Sequence, residues 1–113
     1  MDSGRVIIVE DPLVRRLIEG ILARDGIAVM HAEPRRALAL LEEPNDFALL
    51  ITNAPQLFAD RGLDIALLYL AAYPDPHWLA KFPRCRALSK PFRSQELLEL
   101  TRELLQTSRA AAF

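Results

Sequence analysis

The chain has 113 residues, one cysteine and a formal net charge of -1, with 51% hydrophobic and 26% charged residues. That length holds one core, so a single domain over residues 1–113 is expected, and 14 Lys+Arg against 15 Asp+Glu leave no basic excess to neutralise phosphates, which argues against nucleic acid as a partner. Cys85 alone builds neither an internal disulfide nor a cysteine-rich zinc site, Met1-Asp2-Ser3-Gly4 lacks the parts of a signal peptide, and the longest apolar stretch, Ile65 to Tyr73, is far short of the about 20 residues of a membrane span, so a cytoplasmic protein without a membrane partner is expected.

In chain order, Arg5-Val6-Ile7-Ile8-Val9 is a mostly β-branched run closed by Glu10-Asp11-Pro12, the pattern of a strand buried on both faces. Asp11 then caps a helix whose first residue is Pro12 and whose apolar positions Leu13, Val14, Leu17, Ile18, Ile21 and Leu22 recur at helical spacing until Asp25-Gly26. Ile27 to His31 reads as a short second strand, and Glu33-Pro34 opens a second helix with Ala37, Leu38, Leu40 and Leu41 inside, ended by Pro44-Asn45. Phe47 to Thr52 is a third strand, broken by Asn53-Ala54-Pro55. The run Ile65 to Ala72 suits helix or strand by periodicity; the abrupt stop at Tyr73-Pro74-Asp75-Pro76 and the preceding alternation favour a strand. His77 to Phe82 allows a turn or two of helix and Arg84 to Leu88 a fifth strand. Ser94 caps a last helix carrying Leu97, Leu98, Leu104 and Leu105 on one side, with 107–113 expected as a loose tail outside a core of 5–106.

Strands alternating with helices, without repeats or linkers, predict an α/β fold: an open parallel sheet with helices on both faces. In such sheets ligands bind beyond the carboxyl ends of the strands, where strand order reverses. The residues at or just past those ends are Glu10, Asp11, Asn53, Ala71, Ala72, Lys90 and Pro91.

Three of these segments carry a resemblance. Val9-Glu10-Asp11, Leu49-Leu50-Ile51-Thr52-Asn53 and Leu88-Ser89-Lys90-Pro91-Phe92, in that order and at those strand ends, together resemble the receiver domain of bacterial two-component response regulators, over residues 5 to 106. The resemblance implies the flavodoxin-like, receiver-like sheet of five parallel strands in the order 2-1-3-4-5 with five surrounding helices, a cis bond at Lys90-Pro91, and a docking face running roughly from Trp78 to Leu105.

The family chemistry needs an acidic pair for Mg²⁺, a carboxylate that takes a phosphoryl group, a Ser or Thr that bonds it and a lysine that pairs with it. Glu10 and Asp11 match the acidic pair and are the candidates for Mg²⁺; Lys90 and Pro91 match the lysine and its proline. Asn53 stands at the phosphoacceptor position, and an amide nitrogen does not form the acyl phosphate that a carboxylate forms. Ala71 stands at the Ser/Thr switch position and has no hydroxyl. The chain therefore resembles a degenerate receiver, or pseudo-receiver, with no catalytic residue, no resident metal and no cofactor expected.

Plainer roles exist for the same residues. Asp11 serves as a helix cap, Glu10 pairs with Lys90 in a structural ion pair, and Asn53 is a turn residue bonding its own backbone. His31 and His77 lack partners at ligand spacing, Cys85 is an inert buried thiol, and Arg15-Arg16 and Arg35-Arg36 are solvated helix faces. Trp78, beside Tyr73 and Phe82, reads either as packing against the short helix or as a recognition aromatic.

Length adds a departure. Only residues 54 to 63 separate Asn53 from the fourth strand, whereas a crossover containing a helix takes at least about 10 to 12 residues, so the third helix is shortened or absent, with at most one turn at Gln56–Asp60. Apolar sheet surface left bare there needs a cover: a collapsed loop carrying Leu57, Phe58 and Leu63, a partner protein, or a second copy. The expected interaction surface is Leu57, Phe58, Leu63, Trp78, Phe82 and Phe92. The function these features point to is an atypical stand-alone receiver-like module of two-component signalling, not an enzyme, binding signalling proteins such as a histidine kinase or regulator independently of phosphorylation, with homodimerisation through an exposed face. The alternative is an active phosphorelay acceptor using Asp11 or Asp60. A small α/β enzyme would need a nucleophile and base pair or a glycine-rich phosphate loop, and the sequence has neither.

Overall fold

The architecture comes from a computed structural model that describes the backbone of residues 4–111 and the side chains of 4–106. Five strands, β1 (Arg5–Val9), β2 (Val29–His31), β3 (Phe47–Thr52), β4 (Ala66–Ala71) and β5 (Cys85–Ser89), form one parallel sheet in the order β2-β1-β3-β4-β5. Four helices connect and cover them: α1 (Pro12–Arg24), α2 (Pro34–Glu42), α3 (Pro76–Ala80) and α4 (Ser94–Ala111). The crossover from β3 to β4 contains a single 3-10 turn, Pro55–Leu57, one residue earlier than the expected start and short of a helix.

Local chemistry explains the element ends. Asp11 Oδ1 accepts from Val14 N at 3.1 Å, capping α1 where Pro12 has no N–H to satisfy. At the other end Gly26, with φ +76°, carries the left-handed turn in which Gly26 N donates to Ala23 O and Ile27 N to Leu22 O, both at 3.0 Å. Asn45 closes α2: its Nδ2 donates to the carbonyls of Leu40, Leu41 and Glu43, and its Oδ1 accepts from Phe47 N at 2.9 Å, launching β3. Asp75 caps α3 through His77 N at 2.9 Å.

Several boundaries differ from expectation. Ser94 is the first residue of α4, not its cap; Leu97 N donates to Arg93 O, and Glu96 Oε1 reaches back to Arg93 N at 2.9 Å, the returning half of a capping box. The helix continues through Ala111, across most of the segment expected to be a loose tail; 112–113 lie outside the described residues. Strands β4 and β5 start one residue late, at Ala66 and Cys85.

Strands of a parallel sheet are covered on both sides, so they read as continuous apolar runs, and alternate residues serve opposite faces. Val6, Ile8, Leu49, Ile51 and Leu68 join Ile18 and Leu22 of α1 and Leu97 and Leu104 of α4 in one cluster. Ile7, Val9, Leu50, Leu67 and Tyr69 join Ala37 and Leu41 of α2, Phe58, and Phe82 in the other. Helix α1 buries fewer of its apolar residues than its spacing suggests: Leu13 is 79% and Leu17 51% exposed, since they turn away from the stripe through Ile18 and Leu22.

The second cluster settles how the sheet beneath the short crossover is covered. Phe58 is 1% exposed and plugs it from the collapsed loop, and Phe82 is buried as well, so neither belongs to an interaction surface. Leu63 and Trp78 are half-buried against the same cluster, and Phe92 against the other. Leu57 alone of the crossover residues proposed for contact stays open to solvent.

Candidate functional site

The carboxyl edge of the sheet gathers the strand-end residues. Val9 pairs with Thr52 in register, so Glu10 and Asn53 each stand one residue beyond adjacent strands; Ala71 pairs with Ser89, and Lys90 N donates to Ala71 O at 2.9 Å. The Lys90-Pro91 bond is cis.

At the centre is an ion pair. Lys90 Nζ lies 3.0 Å from Glu10 Oε2; the Glu10 side chain is wholly enclosed and that of Lys90 is 26% exposed. The oxygen faces the ammonium without the alignment of a hydrogen bond, while Glu10 Oε1 accepts from Asp11 N at 2.9 Å. Burying a carboxylate costs several kcal/mol unless a cation stands beside it, so the pair compensates its own burial more than it adds stability.

Asp11 lies with its carboxylate beside this pair and caps the first turn of α1. Its carboxyl is held below the ordinary range chiefly by the Val14 N–H, with the Lys90 charge adding to the effect. Asn53 is exposed, and the local side-chain bond expected of it is made by its neighbour: Thr52, fully buried, accepts from Ala54 N at 3.0 Å. Ala71 offers a methyl group. Asp60 lies elsewhere, in the crossover at φ 59°, with Oδ1 3.8 Å from Lys81 Nζ where α3 leads back to the start of β5. Among the described residues no group of three or more His, Cys, Asp or Glu side chains is arranged to hold a metal ion.

Several residues at this edge and elsewhere have surroundings that sequence patterning does not give. The Tyr69 hydroxyl accepts from Asp75 N at 3.3 Å and ties the β4–α3 loop to the sheet. Tyr73 in that loop is 93% exposed, not packed against α3, whereas Trp78 packs inward and meets His77 edge-on at 4.7 Å. Arg15, expected on a solvated face, is half-buried with its Nε enclosed and unpartnered. His31 Nδ1 lies 2.7 Å from Glu19 Oε2, a pair contact and not part of a metal-ligand group. Cys85 is only half-buried, and desolvation pushes its thiol up to about 11. The His31–Glu19 and Tyr69–Asp75 contacts give no signal in the sequence, because each joins different elements of the fold.

No family model and no curated protein matches the sequence. Solved structures do match. A signal receiver domain from Vibrio parahaemolyticus superposes with a TM-score of 0.81 over 98% of this chain and 96% of its own, at 16% identity. The signal receiver domain of an HD domain-containing protein from Pseudomonas fluorescens Pf-5 gives 0.78 over 99% and 94%, at 22% identity. The CheY-like response regulator receiver domain protein from Methanospirillum hungatei JF-1 gives 0.75 over 96% and 99%, also at 22%. At these identities the likeness establishes the fold: the chain adopts the receiver-domain architecture, with four helices and a 3-10 turn. No described helix is long and apolar enough to cross a membrane.

Proposed function

We propose that the chain is a receiver-type signalling module that acts by protein contact and takes no phosphoryl group. The observation that carries this reading is the Glu10–Lys90 pair at 3.0 Å, which joins the lysine of the pocket to an enclosed carboxylate beside a strand end bearing Asn53. A phosphoacceptor must present a carboxylate oxygen, and the residue there is an amide. A Mg²⁺ ion needs anionic oxygens free to coordinate; Glu10 faces an ammonium, Asp11 caps α1, and Asn53 is neutral, so these residues do not fit the ion. Ala71 has no hydroxyl to hold a transferred group. What remains is a rigid parallel sheet presenting fixed surfaces, the property of a docking module and not of an enzyme. One receiver of like fold belongs to a hybrid histidine kinase, which supports signalling proteins as the class of partner.

Intact-mass measurement after incubation with acetyl phosphate and Mg²⁺ tests the reading. The expected mass is unchanged, and the thermal midpoint with and without Mg²⁺ is the same. A stable adduct of one phosphoryl group on Asp11, Asp60 or any other carboxylate would reject it.

A further inference from the structure

Apart from Glu33 at its N-cap, helix α2 has its charges the wrong way round. Arg35 and Arg36 stand in its first turn and Glu42 and Glu43 at its end, with no acidic residue in the first turn and no basic one in the last. The helix macrodipole favours the opposite order, positive at the end and negative at the start, so this sequence weakens the isolated helix. All four residues are exposed, and Arg35, Arg36 and Glu43 form no ion pair among the described residues. A local rule broken on an exposed surface calls for an external partner that offsets it.

The same helix forms one wall of an open groove of ≈ 630 Å³, with Arg35, Leu38, Ala39 and Glu42 on its side and Leu57 and Arg61 opposite. The groove exists because the β3–β4 crossover has one 3-10 turn where a longer connection would lay a helix beside α2. Leu57, the bulky apolar residue of that turn, is 39% exposed at its rim, next to the buried Phe58. Arg61 Nη1 reaches Glu42 Oε2 only at 3.8 Å, beyond hydrogen-bond distance, and both side chains are half exposed, which leaves the Glu42 carboxylate free to accept from elsewhere.

We propose that this face binds a second copy of the chain, with the two α2 helices antiparallel about a two-fold axis that passes near Ala39. A two-fold interface must be complementary to itself. A helix basic at its start and acidic at its end meets that condition only when antiparallel to its own image: Arg35 and Arg36 of each copy then face Glu42 and Glu43 of the other. Ala39, exposed and small, lets the helices approach at the crossing, and Leu57 of each copy enters the groove of its mate. A uniformly acidic or basic partner would match one end of α2 and repel the other. The net charge of -1 leaves little long-range repulsion between copies. The proposal supplies a partner for the contact module described above, and its test reads molecular mass in solution, separate from any phosphoryl adduct.

The test uses two charge-uniform variants, Arg35→Glu with Arg36→Glu and Glu42→Arg with Glu43→Arg. Each corrects one end of the helix against its macrodipole, so each should melt no lower than the parent as a folded monomer, while self-association weakens about a hundredfold. Light scattering should give a dimer for the parent and monomers for each variant alone. Mixing the two variants should restore a dimer, identified as the heterodimer by native mass spectrometry, because the all-acidic α2 of one variant then faces the all-basic α2 of the other at both ends. Leu57→Glu, on an exposed side chain, should also dissociate the parent without unfolding it. A parent that stays monomeric up to millimolar concentration, a dimer that persists in either charge variant, or a mixture that fails to pair would each overturn the proposal.

Discussion

The two faces of the sheet are built from the same five strands and finished differently. One lies under α1, of 13 residues, and α4, of 18; the other under α2, of 9 residues, a 3-10 turn of 3 and α3 of 5. Long amphipathic helices cover the first face by repetition, each turn adding one apolar side chain to a continuous stripe. The second face has too little helix for that and relies on single large residues from loops, Phe58 and Phe82, with Trp78, Leu63 and Leu38 half-buried around them. A thick cover holds by many small contributions; a thin one depends on a few plugs and leaves a groove. The unsatisfied surface of this molecule is therefore on the side of its shortest connections.

The largest effect that would break this contrast is at Phe58. Phe58→Ala should cost about 3–5 kcal/mol in urea denaturation, because the short loop has nothing else with which to fill the hole, while Leu57→Ala beside it should stay within about 0.5 kcal/mol. If both are mild, the second face is held by something other than its plug. At the rim shared by both faces, the Glu10–Lys90 pair should respond asymmetrically. Lys90→Met strands an enclosed carboxylate and should cost about 2–4 kcal/mol, whereas Glu10→Gln leaves a lysine that reaches water and should cost about 1 kcal/mol.

Hydrogen exchange sharpens the comparison without substitution: amides of α3 and of the Pro55–Leu57 turn should exchange at least about tenfold faster than those of α1 and of the first half of α4. Cys85, on the thinly covered side, provides a second gauge. With its thiol pushed up to about 11, alkylation should stay slow through neutral pH and rise only in strong alkali; rapid labelling at pH 8 would mean that this face opens. The smallest effect is on the acid side. Asp11 and Asp46 both have carboxyls lowered on folding, the first chiefly by the Val14 N–H and the second by Arg5, so each contributes stability that is complete above the unfolded value near 4 and lost as pH falls through the folded one. Asp11→Asn keeps a capping oxygen but loses the charge and its titration, so its denaturation midpoint should lie slightly below the parent's at pH 7 and fall less steeply below pH 4, the two converging in acid.

How much of this was legible in the sequence follows from what kind of contact each feature uses. The strand Arg5–Val9, the helix between Asp11-Pro12 and Gly26, and the strand Phe47–Thr52 stand where their residues place them, because caps, prolines and β-branched runs act within a few residues of themselves. The strand Ile65–Ala72 needed the alternation of its neighbours, since its composition fits either state. The strand ends were equally legible, and the structure places Glu10, Asn53, Ala71 and Lys90 together along the carboxyl edge of the sheet. Phe58 and Leu57, by contrast, are adjacent apolar residues with opposite fates, one sealed into the core and one facing solvent. Leu13 and Leu17 fit the helical spacing of α1 and still stand outside its packed stripe.

Sequence alone determined the order of elements and the shortness of the β3–β4 connection, which are set by length, composition and neighbours along the chain, while the resemblance to receiver domains singled out Asn53 and Ala71. Only the tertiary structure decided that Glu10 reaches Lys90, that Thr52 takes the bond expected of Asn53, that Phe58 covers the second face, and that the inverted charges of α2 border an open groove. Those outcomes depend on distances between elements far apart in the chain, and such distances are fixed by how the sheet stacks its helices, which no local pattern specifies.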